Sequence, residues 1–176
     1  HSPGPAVAAA MWNAARDAGF AGGRVLEPGC GAGTVIGLAP PEAQMVGVEN
    51  DPITAAVASQ LYPSAQIRLE GFEETRVPNG SFAAVVGNVP FGNFTVSDPA
   101  HNPGRMSIHN HFIIKSLNLT APGGYAVLLT SHYTMDSQNP GARRAMAEMA
   151  DLLGAVRLPN GAFQRAAGTT VLTDLL

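Results

Sequence analysis

The sequence predicts an α/β fold: a seven-stranded, mostly parallel sheet flanked by helices. Three observations carry that prediction. Short apolar runs recur along the 176 residues and alternate with stretches whose apolar positions fall at helical spacing. Runs such as Phe82-Ala-Ala-Val-Val86 are apolar throughout, as expected of strands covered on both faces. Gly 20 and Pro 14 are dispersed between these runs, which fits many strand–helix connections better than disorder. With 45% hydrophobic residues the chain can bury a sizeable core, and its length suits one domain.

The elements follow in order. Pro5 to Gly19 reads as a helix, with Val7, Met11, Trp12 and Ala15 at helical spacing and Gly19 at the expected C-terminal cap. Gly23 to Glu27 is a first strand that runs into Pro28-Gly29-Cys30-Gly31-Ala32-Gly33, a glycine-rich turn before a helix start at Thr34. Glycines at 29, 31 and 33 let the backbone turn sharply and come close to a ligand. The spacing matches neither a dinucleotide fingerprint nor a P-loop, so phosphate cradling is disfavoured.

Met45 to Val48 is a second strand ending in Glu49-Asn50-Asp51. A carboxylate there, roughly twenty residues after a glycine turn, is where nucleotide-binding βαβ units hold a ribose diol. Asp51-Pro52 has the pattern of an N-cap and first helical position for a helix to Leu61, so Glu49 is the better ribose ligand and Asp51 the cap. Gln66 to Glu70 is a third strand, followed by Phe72, which is placed either to pack on a purine or to fill the core. Ser81 to Val86 is the fourth, and it delivers Asn88-Val89-Pro90-Phe91 to the carboxyl end of the sheet, where ligands sit in open α/β sheets. An amide oxygen, a proline-fixed backbone and a flat ring together suit a planar ring carrying an amino group.

A polar loop from Asn93 to Ser107 is long for a compact domain, hence mobile or functional. Helix Ile108 to Leu119 and strand Tyr125 to Thr130 follow it. Pro140 to Leu153 reads as a helix, with Ala145, Met149 and Leu152 on one side, and Gly154 to Leu158 and Thr170 to Leu176 as two last strands.

Other chemistries are disfavoured. His109-Asn110-His111 lies in a predicted helix, where positions two apart face different ways, so a metal-ligating role is not expected. No Ser sits on a nucleophile elbow, and Cys30 is best taken as the small residue a glycine turn needs. A single cysteine excludes an internal disulfide framework and fits a reducing compartment. No apolar stretch is long enough to span a membrane. Net charge is −3, without a global basic footprint, yet the residues after 100 carry six Lys+Arg against four Asp+Glu and four of the five His.

The combination of Glu27-Pro28-Gly29-Cys30-Gly31-Ala32-Gly33, a second strand ending in Glu49, a third followed by Phe72, and a fourth ending in Asn88-Val89-Pro90-Phe91 resembles the class I S-adenosylmethionine-dependent methyltransferases. More narrowly it is similar to the DNA adenine-N6 amino-methyltransferases, in the gamma order with cofactor residues first. The run from Val89 to Leu176 further resembles methylase domains of phage and plasmid helicase–methyltransferase polypeptides. The resemblance covers nearly the whole chain and implies a Rossmann-like class I methyltransferase fold using S-adenosyl-L-methionine, with DNA as partner and a bacterial, phage or plasmid cytoplasmic setting. It implies one methyltransferase domain, expected to belong to a longer polypeptide and lacking a separate target-recognition domain.

By the same resemblance, Ser2 and Pro3 touch the methionine end of the cofactor, and Glu27, Pro28, Gly29, Cys30, Gly31 and Gly33 line that end. Glu49 holds the ribose hydroxyls, Asn50 lies beside the adenine and Phe72 packs on it. Asn88, Val89, Pro90 and Phe91 form the catalytic turn, with Asn88 also bordering the cofactor and Phe91 and Phe163 holding the target base. Two positions depart from the pattern. Gly71 stands where many relatives carry an Asp that binds the cofactor's amino group, with Glu73 as the available substitute. Val89 replaces the more usual first proline, which leaves a backbone carbonyl in place as acceptor. The same turn serves enzymes that methylate glutamine amides in proteins or amino groups in RNA, and a non-catalytic methyltransferase-like binding module is the alternative from another class.

Overall fold

The computed structural model describes residues 3–90, 97–102, 107–131, 140–157 and 168–175. Among these residues seven strands form one sheet: β1 (Gly23–Pro28), β2 (Ala43–Glu49), β3 (Gln66–Leu69), β4 (Phe82–Asn88), β5 (Thr120–Ser131), β6 (Ala150–Arg157) and β7 (Gly168–Leu175). Their spatial order is β3-β2-β1-β4-β5-β7-β6. The first five run parallel to one another, and β7 is antiparallel to both β5 and β6.

The helices are α1 (Pro5–Ala18), α2 (Thr34–Gly37), α3 (Pro52–Leu61), α4 (Ile108–Leu119) and α5 (Gly141–Met149). Strand residues alternate between two cores, one on each face of the sheet. Leu26, Val46, Val48 and Val85 pack with Phe112, Ile113 and Leu117 of α4. On the opposite face Val25, Met45, Ala84 and Val86 pack with Met11, Trp12 and Ala15 of α1.

Several expected boundaries hold. Gly19 ends α1 in the left-handed conformation, with its N–H donating to Ala15 and Arg16 carbonyls. Asp51 caps α3, its carboxylate accepting from the Thr54 N–H at 2.8 Å, with Pro52 in the first turn. The carboxyl-terminal helix is shorter than expected. It stops at Met149, and Ala150–Arg157 is strand, so Leu152 lies on β6 and not on a helix face. The reason is non-local: Ala150 to Arg157 pair with Leu175 to Thr169 of β7, and that ladder overrides the helical spacing of Ala145, Met149 and Leu152. Among the described residues no helix is long and apolar enough to cross a membrane.

Candidate active site

Strands β2, β1 and β4 are neighbours and parallel, so their carboxyl ends lie side by side. This brings together the glycine turn, Glu49 and Asn88. In the turn, Gly29, Gly31 and Gly33 all have positive φ, at 66°, 56° and 97°, a region that L side chains rarely adopt. The turn is fastened from three sides. The Cys30 N–H donates to the Val48 carbonyl at 2.8 Å, the Gly31 N–H donates to Glu49 Oε1 at 3.1 Å, and Trp12 Nε1 donates to the Val35 carbonyl at 2.8 Å. The other oxygen of Glu49 accepts from the Asp51 N–H at 2.8 Å, so this carboxylate is oriented while half of its acceptor sites stay free.

Glu27, at the end of β1, is 1% exposed, and its Oε1 has no hydrogen-bond partner among the described residues. Burial, reinforced by the nearby Glu49 charge, pushes its carboxyl well above the usual carboxylate range. A buried acid facing a second acid is a poor structural element and a good receptor for a cation. Cys30 is buried too, and burial, with Glu27 and Glu49 adding to it, pushes its thiol up to about 12. It therefore stays a neutral thiol near pH 7 and no nucleophile. Gly47 of β2 makes room for it, since a Cβ there would stand 2.8 Å from Cys30 Sγ.

On β4, Asn88 lies within the strand, so the expected turn begins while the chain is still paired with β5. The Val89 N–H donates to the Leu129 carbonyl at 2.8 Å, a bond the more usual proline could not make. The Val89 side chain is buried in the core. Gly87 lets β4 press on the glycine turn, because a Cβ on it would lie 3.2 Å from Pro28 Cδ. The end of β4 and the glycine turn thus approach closely at Gly87 and Pro28.

The other expected site residues are placed as follows. Pro3 is buried at the start of the described chain and Asn50 is exposed beyond β2. Phe72 is 2% exposed, its ring edge-on to Phe112 at 4.8 Å and tilted on His111 at 5.9 Å. These contacts are core packing, one of the two roles the sequence left open. Glu73 stands over Gly71, its carboxylate in the space a side chain at 71 would enter. Ser2, Phe91 and Phe163 lie outside the described residues, as does His132.

A buried polar cluster escaped the sequence reading. Asp98 is 1% exposed, and its Oδ2 accepts from Lys115 Nζ at 2.6 Å and lies 2.9 Å from His111 Nε2. Lys115 and His111 are fully buried on α4. Lys115 Nζ also donates to the Phe72 carbonyl at 2.6 Å and lies 4.9 Å from the centre of that ring. Burial opposes ionisation of Asp98, but the Lys115 and His111 hydrogen bonds outweigh it and hold the carboxyl at about 2. A carboxyl lowered in the folded state stabilises above its ordinary 3.8, and that stability is lost as pH falls through about 2. Asp98→Asn is therefore expected to flatten the acid limb of a thermal-melting profile between pH 4 and 2, while wild type loses roughly 2 kcal/mol there. Among the described residues no group of His, Cys, Asp or Glu is arranged to hold a metal ion.

No family model matches the chain. The chain is 29% identical over 181 residues to the defense against restriction protein B of Escherichia phage P1, matching all of this chain and 8% of that protein. It is 27% identical over 183 residues to the type II methyltransferase M.XamI of Xanthomonas campestris pv. amaranthicola, covering 90% of this chain and 34% of the relative. It thus spans a small part of one relative and about a third of the other. Among solved structures, a modification subunit of a proposed type I restriction enzyme from Vibrio vulnificus superposes with a TM-score of 0.80 at 17% identity, over 99% of this chain and 44% of that one. A proposed class I S-adenosylmethionine-dependent methyltransferase from Listeria monocytogenes gives 0.78 at 15% identity, over 97% and 58%. The N-methyltransferase NodS of Bradyrhizobium japonicum, solved with S-adenosyl-L-homocysteine, gives 0.69 at 14% identity, over 97% and 86%. The fold is the Rossmann-like fold of class I methyltransferases.

Proposed function

We propose that this chain is an S-adenosylmethionine-dependent methyltransferase domain that methylates the N6 amino group of adenine in DNA. The observation that carries the cofactor reading is the buried Glu27 carboxyl, whose Oε1 has no hydrogen-bond partner among the described residues, beside a turn of three positive-φ glycines, with Glu49 oriented next to it. Glu27 suits a cationic end, Glu49 suits a pair of hydroxyls, and the glycines leave room for both. Gly71 with the Glu73 carboxylate over it suits the cofactor's exocyclic amine. Similarity to a type II methyltransferase and to a restriction enzyme's modification subunit favours DNA as acceptor. With a net charge of −3, DNA affinity draws on other parts of a longer polypeptide.

The cofactor, when bound, supplies an electrophilic methyl group on a sulfonium leaving group. The protein's task is to orient an amine whose lone pair is delocalised into its ring. The Asn88 side-chain oxygen and the Val89 carbonyl each accept one amino hydrogen, which turns the lone pair toward the methyl and stabilises the positive charge that develops on nitrogen. Pro90 fixes the backbone that presents these acceptors, and Phe91 stacks on the extruded base. Stacking of this kind contributes roughly 1 to 3 kcal/mol, which offsets much of the unstacking cost.

Glu27 gives this reading a pH signature. In the free protein its raised pKa leaves it largely protonated just above the ordinary 4.5. A cation beside it favours the carboxylate, so cofactor binding releases a proton between 4.5 and the raised value, and affinity rises with pH across that window. Calorimetry with S-adenosylmethionine in buffers of different ionisation enthalpy is expected to show this proton release in wild type and none in Glu27→Gln. Absence of any cofactor binding would leave the non-catalytic module as the better reading.

A further inference from the structure

The Asp98–His111–Lys115 cluster has no part in the chemistry just described, and a core does not need charges at these positions to be stable. Burying an ion pair costs desolvation that the mutual attraction only partly returns, and apolar residues of similar shape serve a core as well. Its position is informative. Lys115 binds two places that the proposed site needs held together: the Phe72 carbonyl just past β3, on the adenine side, and Asp98, ten residues past Asn88 along the chain.

The same helix reaches the catalytic turn directly. His109 donates a side-chain hydrogen bond to the Pro90 carbonyl. Phe112 approaches the glycine turn, with Cε1 4.0 Å from where a Cβ of Gly29 would be. Helix α4 thus reaches Pro90, the chain beyond it at Asp98 and the Phe72 backbone, and approaches the glycine turn near Gly29.

We propose that Lys115 is a positioning residue: through Asp98 and the Phe72 carbonyl it locks the backbone just past β3 to the polypeptide leaving the proposed catalytic turn, so that filling the cofactor site steadies the acceptor side. This rests on the cofactor reading given above. The amides that report it are those of His101 and Asn102, which donate to the Asp98 carbonyl at 3.2 and 2.6 Å. They stand apart from the ribose-side amides of Gly31 and Asp51, which bond Glu49.

The test is amide hydrogen exchange of the chain with and without saturating S-adenosyl-L-homocysteine, together with calorimetry. In wild type the ligand is expected to slow exchange at Gly31 and Asp51 and, through Lys115, at His101 and Asn102 by about tenfold. The double variant Asp98→Asn/Lys115→Met removes both charges at nearly constant volume and is expected to keep its fold. It should bind the ligand about tenfold more weakly and protect only Gly31 and Asp51. Protection confined to Gly31 and Asp51 in wild type would overturn the proposal, as would a double variant with unchanged affinity and unchanged protection at His101 and Asn102. Should the double variant not fold, the wild-type exchange pattern decides alone. A wild-type chain that binds no S-adenosyl-L-homocysteine would defeat the cofactor reading itself, and this proposal with it.

Discussion

Asn88→Ala is expected to lower methyl transfer by about 10²- to 10³-fold while leaving affinity for S-adenosyl-L-homocysteine within about tenfold. The size follows from what the side chain does. In the proposed mechanism its oxygen is one of two acceptors that turn the amine's lone pair and meet the charge developing on nitrogen, and its interaction grows as that charge grows. Losing such a group affects the transition state more than the ground state, so kcat falls and substrate KM moves little. The backbone should tolerate the change, because Asn88 is held by pairing with Leu129 and the next residue by the Val89 N–H bond to the Leu129 carbonyl. Asn88→Asp is expected to be more active than Asn88→Ala, since the carboxylate keeps an acceptor. Single-turnover rates with radiolabelled cofactor measure both, and a fully active Asn88→Ala would remove the proposed acceptor.

Glu49→Ala is expected to weaken S-adenosyl-L-homocysteine binding by about 10²-fold or more. If Glu49 holds the ribose as proposed, two hydroxyl hydrogen bonds to a charged acceptor are lost, each worth about 1.5 to 3 kcal/mol. The Gly31 and Asp51 amides that it accepts from also lose their partner, so the glycine turn loosens as well. Glu49→Gln keeps the acceptor oxygen and loses the charge, and should fall between the two. Calorimetry reads these affinities directly, and near-wild-type binding by Glu49→Ala would place the ribose elsewhere.

Where the determinants were local, the sequence was enough. The Asp51-Pro52 cap, the Gly19 stop, both ends of α4 and the positive-φ glycines of the turn after β1 are each set by residues within a few positions. The start of β6 was hidden because Ala150 to Leu153 continue a helical spacing, while the β7 ladder that claims them comes from later in the chain. The Asp98 cluster was hidden for a similar reason: its partners stand 13 and 17 residues away, and polar residues in a polar loop read as solvated. One signal was available. In α4, His111 and Lys115 flank Phe112-Ile113-Ile114, a run apolar on every side, and a helix of that kind is buried all round, so its His and Lys must find partners inside. Phe72 shows the converse limit, since an aromatic at the sheet edge suits a core and a cofactor wall equally well.

The most direct test of the central claim is the identity of the methylated product. The chain, alone and within a longer polypeptide, is incubated with radiolabelled S-adenosylmethionine and unmethylated DNA, RNA or protein, and the products are digested and separated. Label is expected in N6-methyladenine from DNA, dependent on Asn88. Label on a glutamine side chain or an RNA base with none in DNA would contradict it.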